Sequence, residues 1–130
     1  MQLNTEEDRF HIQRISARLG DEGVKRAFGV LLKRLSAQTR FEVRGSPHGA
    51  FSDINVKYLG RRCYAFRGTK SWIAWYFRKP SFQEGLADPE KVVSSFSEFD
   101  PFENPSKGEI WVKIKTPEDA RLVLEFVEIA

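Results

Sequence analysis

Along the first 36 residues the apolar positions recur with the period of a helix, and from residue 39 they recur with the period of a strand. Asn4 or Thr5 stands where an N-cap belongs and Glu7 or Asp8 follows three residues on. With Ile12, Ile15 and Leu19 at near-helical spacing, this predicts a helix over about residues 5–19. Gly20-Asp21-Glu22 breaks the pattern. Val24, Ala27, Phe28, Leu31 and Leu35 then line one face of a second helix ending near Ser36. Val30 and Leu32 widen that face, so this helix is either the most buried one or one that also meets a second chain.

Phe41 and Val43 alternate with Arg40, Glu42 and Arg44, which predicts a strand that Gly45-Ser46-Pro47-His48-Gly49 turns into a loop. A second strand follows at Phe51–Tyr58, a third after Gly60-Arg61 at Cys63–Phe66, and a fourth after Gly68-Thr69-Lys70 at Trp72–Phe77. The fourth is apolar on both sides. Such a strand lies centrally with both sides covered, or with one side covered and the other used for binding. Pro80 to Leu86 shows no clear period; Asp88-Pro89-Glu90 then caps a short helix through Val92, Val93 and Phe96. An acidic loop with Phe99, Pro101, Phe102, Pro105 and Gly108 leads to a strand in which Ile110, Val112 and Ile114 alternate with Glu109, Trp111, Lys113 and Lys115. Thr116 caps the last helix, where Ala120, Val123, Leu124 and Val127 form one face. The sum is an α+β fold: a mostly antiparallel sheet of about five strands, two leading helices, a short helix before the last strand and a C-terminal helix.

Length changes this picture little, since 130 residues with 41% hydrophobic content suit a single domain over residues 1–130. Charge changes it more. Residues 9–80 hold 16 Lys and Arg against 4 Asp and Glu, a balance of +12, while residues 81–130 hold 5 against 11, a balance of −6. A split of this kind builds a basic face that attracts phosphates, or is neutralised within the fold or between copies. The single cysteine, Cys63, leaves no intramolecular disulfide; no apolar run is long enough for a membrane span, and the acidic start lacks a signal-peptide segment. A cytoplasmic setting without membrane attachment follows as the expectation.

Candidate chemistry is sparse. Two histidines and one cysteine, without Cys-x-x-Cys or His-Glu-x-x-His spacing, give no metal set and imply no cofactor, and phosphate-loop and dinucleotide fingerprints are missing. His11 reads as an ordinary surface or half-buried residue and Cys63 as a small apolar one, whereas His48, between Pro47 and Gly49, sits where a loop presents an imidazole to a substrate or merely to solvent. Asp53, Glu109 and Lys113 offer two acids and a lysine for a metal-dependent nuclease or small hydrolase, if the fold brings them together. The strongest pattern is basic and aromatic: Arg61, Arg62, Arg67, Lys70, Arg78 and Lys79 interleave with Tyr58, Tyr64, Phe66, Trp72, Trp75 and Tyr76. Cations hold phosphates and exposed rings stack on unpaired bases, although strand aromatics more often form a core. Lys25, Arg26, Lys33 and Arg34 give the second helix the charge of a recognition helix, but its apolar face argues for burial. Phe82, Phe96, Phe99 and Phe102 around the acidic loop anchor a basic protein partner, or pin the loop to the core.

From Tyr58 to Val127 the chain runs through Gly60-Arg61-Arg62-Cys63-Tyr64-Ala65-Phe66, an apolar strand to Arg78-Lys79-Pro80, Asp88-Pro89, Ile110-Trp111-Val112 and a closing helix. In this order it resembles the YjbR/MmcQ-like small proteins. The resemblance implies an α+β fold of double-wing shape and a DNA-binding role, and it transfers no individual site residue. The expected function is therefore a non-enzymatic module for nucleic acid or a nucleic-acid-associated complex, acting through Arg61, Arg62, Arg67, Lys70, Arg78 and Lys79. A small hydrolase or nuclease, and a protein-interaction or regulatory domain that meets a partner or a second copy, stand as alternatives.

Overall fold

Thr5 and Asp8 start the first helix by exchanging hydrogen bonds: the Thr5 hydroxyl accepts from the Asp8 N–H at 3.0 Å, and the Asp8 carboxylate accepts from the Thr5 N–H at 3.4 Å. The computed structural model describes residues 2–129. Helix α1 spans Glu6–Arg18, and Asp21 then caps α2, Glu22–Ala37, by accepting from the Val24 N–H at 3.2 Å. Val24, Ala27, Phe28, Leu31 and Leu35 are buried, as their spacing predicts, while Val30 and Leu32 are partly buried against the same core.

The chain next makes β1 (Glu42–His48), β2 (Phe51–Tyr58), β3 (Arg61–Gly68) and β4 (Ile73–Phe77), a meander of antiparallel hairpins. Helices α3 (Lys79–Gln83) and α4 (Pro89–Ser95) and a single 3-10 turn at Ser97–Phe99 lead to β5 (Phe102–Asn104), β6 (Glu109–Ile114) and α5 (Pro117–Phe126). The sheet has six strands in the order β1-β2-β3-β4-β6-β5, all antiparallel. The extra strand is β5, three residues within the stretch expected to be an acidic loop. Two other segments exceed their expected form. Gly45–His48 continues β1 despite Pro47, which an edge strand tolerates, and α3 forms where no period was visible.

Alternation divides the sheet into two faces. Val43, Ile54, Val56, Tyr64, Phe66, Ile73, Trp75, Phe77, Ile110, Val112 and Ile114 join residues of α1, α2, α4 and α5 in one continuous core. Phe66 stacks on Trp75 with centroids 5.5 Å apart, and Tyr64 packs on Trp75 at 5.6 Å, across the register that pairs Phe66 with Trp75. Helix α1 lies close to the strands because two glycines make room. A Cβ on Gly45 would fall 2.8 Å from the Cβ of His11, and one on Gly68 would fall 2.6 Å from a methyl of Leu19. The exposed edge of β1 is blocked by side chains: Val43 N–H donates to Gln2 at 2.7 Å and Gly45 N–H to Asp8 at 2.9 Å. Among the described residues no helix is long and apolar enough to cross a membrane.

Candidate functional site

The second face of the sheet carries the residues that alternate with the core. Successive registers set Arg44, Asn55, Ala65, Tyr76, Trp111 and Phe102 in one row across all six strands. Beside it lie Ser46 and Asp53 on β1 and β2, and Arg67, Ala74 and Lys113 on β3, β4 and β6. Ala65 and Ala74 hold the middle of this face, so the longer side chains around them have room to lean inward. The result is a cleft of about 260 Å³ that runs from His48 and Asp53 to Arg62, Arg78, Lys107 and Glu109.

Its centre is an aromatic and arginine stack. The Arg67 guanidinium lies 4.6 Å from the Tyr76 ring centroid and that of Arg78 lies 5.7 Å from it, while Trp111 packs on Tyr76 at 5.9 Å and Phe102 on Trp111 at 5.5 Å. Phe102 is 51% exposed, and Tyr76 and Trp111 are half-buried. Burial pushes the Tyr76 phenol above its ordinary pKa, with Arg67 acting against it. Arg67 also donates through Nη2 to Asp53 at 2.9 Å, and His48 Nδ1 lies 3.6 Å from the same carboxylate oxygen.

Four polar atoms around this cleft are buried and have no hydrogen-bond partner among the described residues: Asp53 Oδ1, Asn55 Oδ1, Arg67 Nε and Arg78 Nε. A buried polar group left unpaired costs about 1–3 kcal/mol, so four around one cleft call for an explanation, and a bound partner is one. Four cations, Arg62, Arg67, Arg78 and Lys107, line the cleft against two carboxylates, Asp53 and Glu109. Among the described residues, no carboxylate comes within 4.0 Å of Arg62, Arg78 or Lys107.

The basic set nominated from sequence is therefore divided. Arg62, Arg67 and Arg78 converge beside Tyr76 and Trp111. Arg61 instead pairs with Glu84 at 2.9 Å and reaches Gln83; Lys70 packs against Gly20 at a hairpin end; and Lys79 lies along Gly108. Of the nominated rings, Tyr64, Phe66 and Trp75 are core residues, Tyr58 packs partly buried against the core on Phe41, and Trp72 sits under the Lys113 ammonium at 4.3 Å. Residues not singled out for nucleic acid complete the cleft: Asn55, Asn104, Lys107 and Trp111. Asn55 and Trp111 carried a signal, their alternation with Ile54 and Val56 and with Ile110 and Val112; Asn104 and Lys107 carried none.

The hydrolase candidates are placed as well. Asp53 and Glu109 both line the cleft, but Lys113 turns to Asp100 at 3.7 Å, so the three do not assemble. Among the described residues no three His, Cys, Asp or Glu side chains are grouped to hold a metal ion. His11 is buried rather than half-exposed, with Nδ1 2.6 Å from the Ser52 hydroxyl. Cys63 is buried, and burial raises its thiol pKa. On α2, Lys25 pairs with Glu22 at 3.6 Å, on the side away from the buried stripe. Phe96 is buried and Phe82 and Phe99 are partly buried against the core, so three of the four phenylalanines hold the loop in place and only Phe102 reaches the open face.

Fold and site together define an α+β domain with helices on one face of an antiparallel sheet and a basic, aromatic cleft on the other. Comparison with protein-family models, curated proteins and solved structures finds no match to this chain.

Proposed function

We propose that the open face of the sheet binds single-stranded nucleic acid, as a module without catalysis of its own, in a cytoplasmic setting. The observation that carries the reading is the convergence of Arg62, Arg67, Arg78 and Lys107 beside the row of Tyr76, Trp111 and Phe102. Phosphates are neutralised by the arginines and lysine, and bases stack on the rings. Rings in a narrow cleft favour unpaired bases, because a duplex keeps its base faces stacked inside. The order of elements from Tyr58 onward, similar to that of the YjbR/MmcQ-like proteins, points to the same class of partner.

Fluorescence anisotropy of labelled single-stranded and duplex oligonucleotides across a salt series tests the proposal. Three cleft cations, Arg62, Arg78 and Lys107, without a carboxylate partner among the described residues, predict a log–log salt slope of about −2 for the single strand, at roughly −0.7 for each phosphate contact. Arg62→Ala takes away about one such contact and leaves the fold intact, since Arg62 is exposed. Binding that ignores salt, or that prefers the duplex, would overturn the proposal.

A further inference from the structure

We infer that the cleft takes one unpaired nucleotide and that the base it selects is guanine. This rests on the open face binding single-stranded nucleic acid and deepens that reading.

The inference starts from the two buried acceptors. Asp53 and Asn55 stand two residues apart on β2, so their side chains leave the same face of the sheet side by side, and each residue is only 3% exposed. Asp53 spends one carboxylate oxygen on Arg67, and Asn55 spends its amide N–H on the Ser46 hydroxyl. Asp53 Oδ1 and Asn55 Oδ1 remain without a donor, and so the pair calls for a ligand that supplies two N–H groups from one edge. Arg67 Nε and Arg78 Nε are donors without an acceptor in the same cleft.

Among the bases, guanine alone presents two neighbouring N–H groups, N1–H and the 2-amino group, with an acceptor, O6, next to them. Adenine and cytosine each set one amino group beside an acceptor, and uracil and thymine set one N–H between two acceptors. Any of these would leave a buried oxygen of Asp53 or Asn55 unpaired, or bring a base acceptor against it. In the guanine arrangement O6 receives an arginine Nε–H. This edge is the one used in Watson–Crick pairing, so only an unpaired base offers it. A cleft of about 260 Å³ holds one nucleotide, and the exposed Arg62 and Lys107 are placed for its phosphates.

The test is anisotropy with oligothymidine pentamers whose central base is guanine, hypoxanthine, adenine, cytosine or thymine, each titrated at several salt concentrations and compared at the lowest. Central guanine is expected to bind about tenfold tighter than central thymine, the discrimination of one bidentate contact. Hypoxanthine keeps N1–H and O6 but lacks the 2-amino group, so it should lose most of that advantage. Asp53→Asn, checked for folding by circular dichroism, should narrow the guanine preference to about twofold. The hypoxanthine arm uses the unaltered protein, so it decides even where Asp53→Asn does not fold. Equal affinity for all five pentamers, with salt-sensitive binding retained, would overturn guanine selection and leave the nucleic-acid reading standing. No salt-sensitive binding to any pentamer would overturn both.

Discussion

The two faces of the sheet are made by the same six strands, and they treat aromatic side chains in opposite ways. On the helix-covered face Tyr64, Phe66, Trp75 and Phe77 pack ring on ring and are fully buried. On the open face Tyr76 and Trp111 are half-buried, and Tyr76 is met by Arg67 and Arg78. The buried carboxylates repeat the contrast. Asp8, on the covered side, has both oxygens occupied, by Gly45 N–H and Arg44 Nε on one and Thr5 N–H on the other. Asp53, on the open side, has one oxygen bound to Arg67 and one without a partner among the described residues. On the covered face Tyr64 Oη and Trp75 Nε1 also lack a partner among the described residues, but they lie inside the packed rings, whereas Asp53 lines an open cleft that a ligand can enter.

The largest effect expected from this contrast comes from deleting one indole on each face. Trp75→Ala should lose about 3–5 kcal/mol of stability in urea unfolding. Trp111→Ala should lose clearly less stability and instead weaken single-strand binding by about 1–3 kcal/mol, the worth of one stacked base. If the two variants lost stability equally and binding not at all, the division between faces would be wrong. Next is Gly68→Ala, which forces a methyl against Leu19 and Ile15 beneath α1 and should cost about 1–3 kcal/mol while leaving binding at the opposite face unchanged.

The smallest effect is expected at Asp8, the carboxylate of the covered side. Burial raises the pKa of Asp8, but hydrogen bonds from Gly45, Thr5 and Arg44 outweigh it and hold the carboxyl below its ordinary value of 3.8. A carboxyl with a lower pKa folded than unfolded contributes stability that is complete above the unfolded value and is lost as pH falls through the folded one. Wild-type stability should therefore decline as pH drops below about 4. Asp8→Asn should be less stable by about 1 kcal/mol at pH 7 and should show a shallower decline in acid, as read by urea unfolding at several pH values. An unchanged acid slope would assign that part of the titration to other carboxyls.

Much of the fold was legible along the chain because the relevant signals are local. The cap at Asn4 or Thr5, which the structure gives to Thr5 with Asp8, the Asp88 and Thr116 caps and the stripe from Val24 to Leu35 each lie within a few turns of backbone, whereas the Asp21 cap was read only as a break. Strand β5 escaped notice because three residues carry no period, and its pairing with β6 depends on a turn through Pro105 and Gly108. The site was half legible. Arg62, Arg67 and Arg78 were named with Arg61, Lys70 and Lys79, which sequence has no means to tell apart: all six flank the same hairpins, and only their ends differ in space.

Alternation along each strand determined that the sheet has two faces and which residues share one: Asp53 with Asn55, Trp111 with Glu109 and Lys113. It did not determine which face of β4 is the core, since Trp75 and Tyr76 are both aromatic and both suit a strand. Tertiary structure decided that by laying the helices over Trp75, because a sheet covered on one side buries one set of rings and leaves the other to arginine and solvent. It also placed β6 rather than β5 beside β4. That crossover sets Trp111 against Tyr76 and brings Glu109 and Lys107, from the acidic end of the chain, into the cleft of the basic strands.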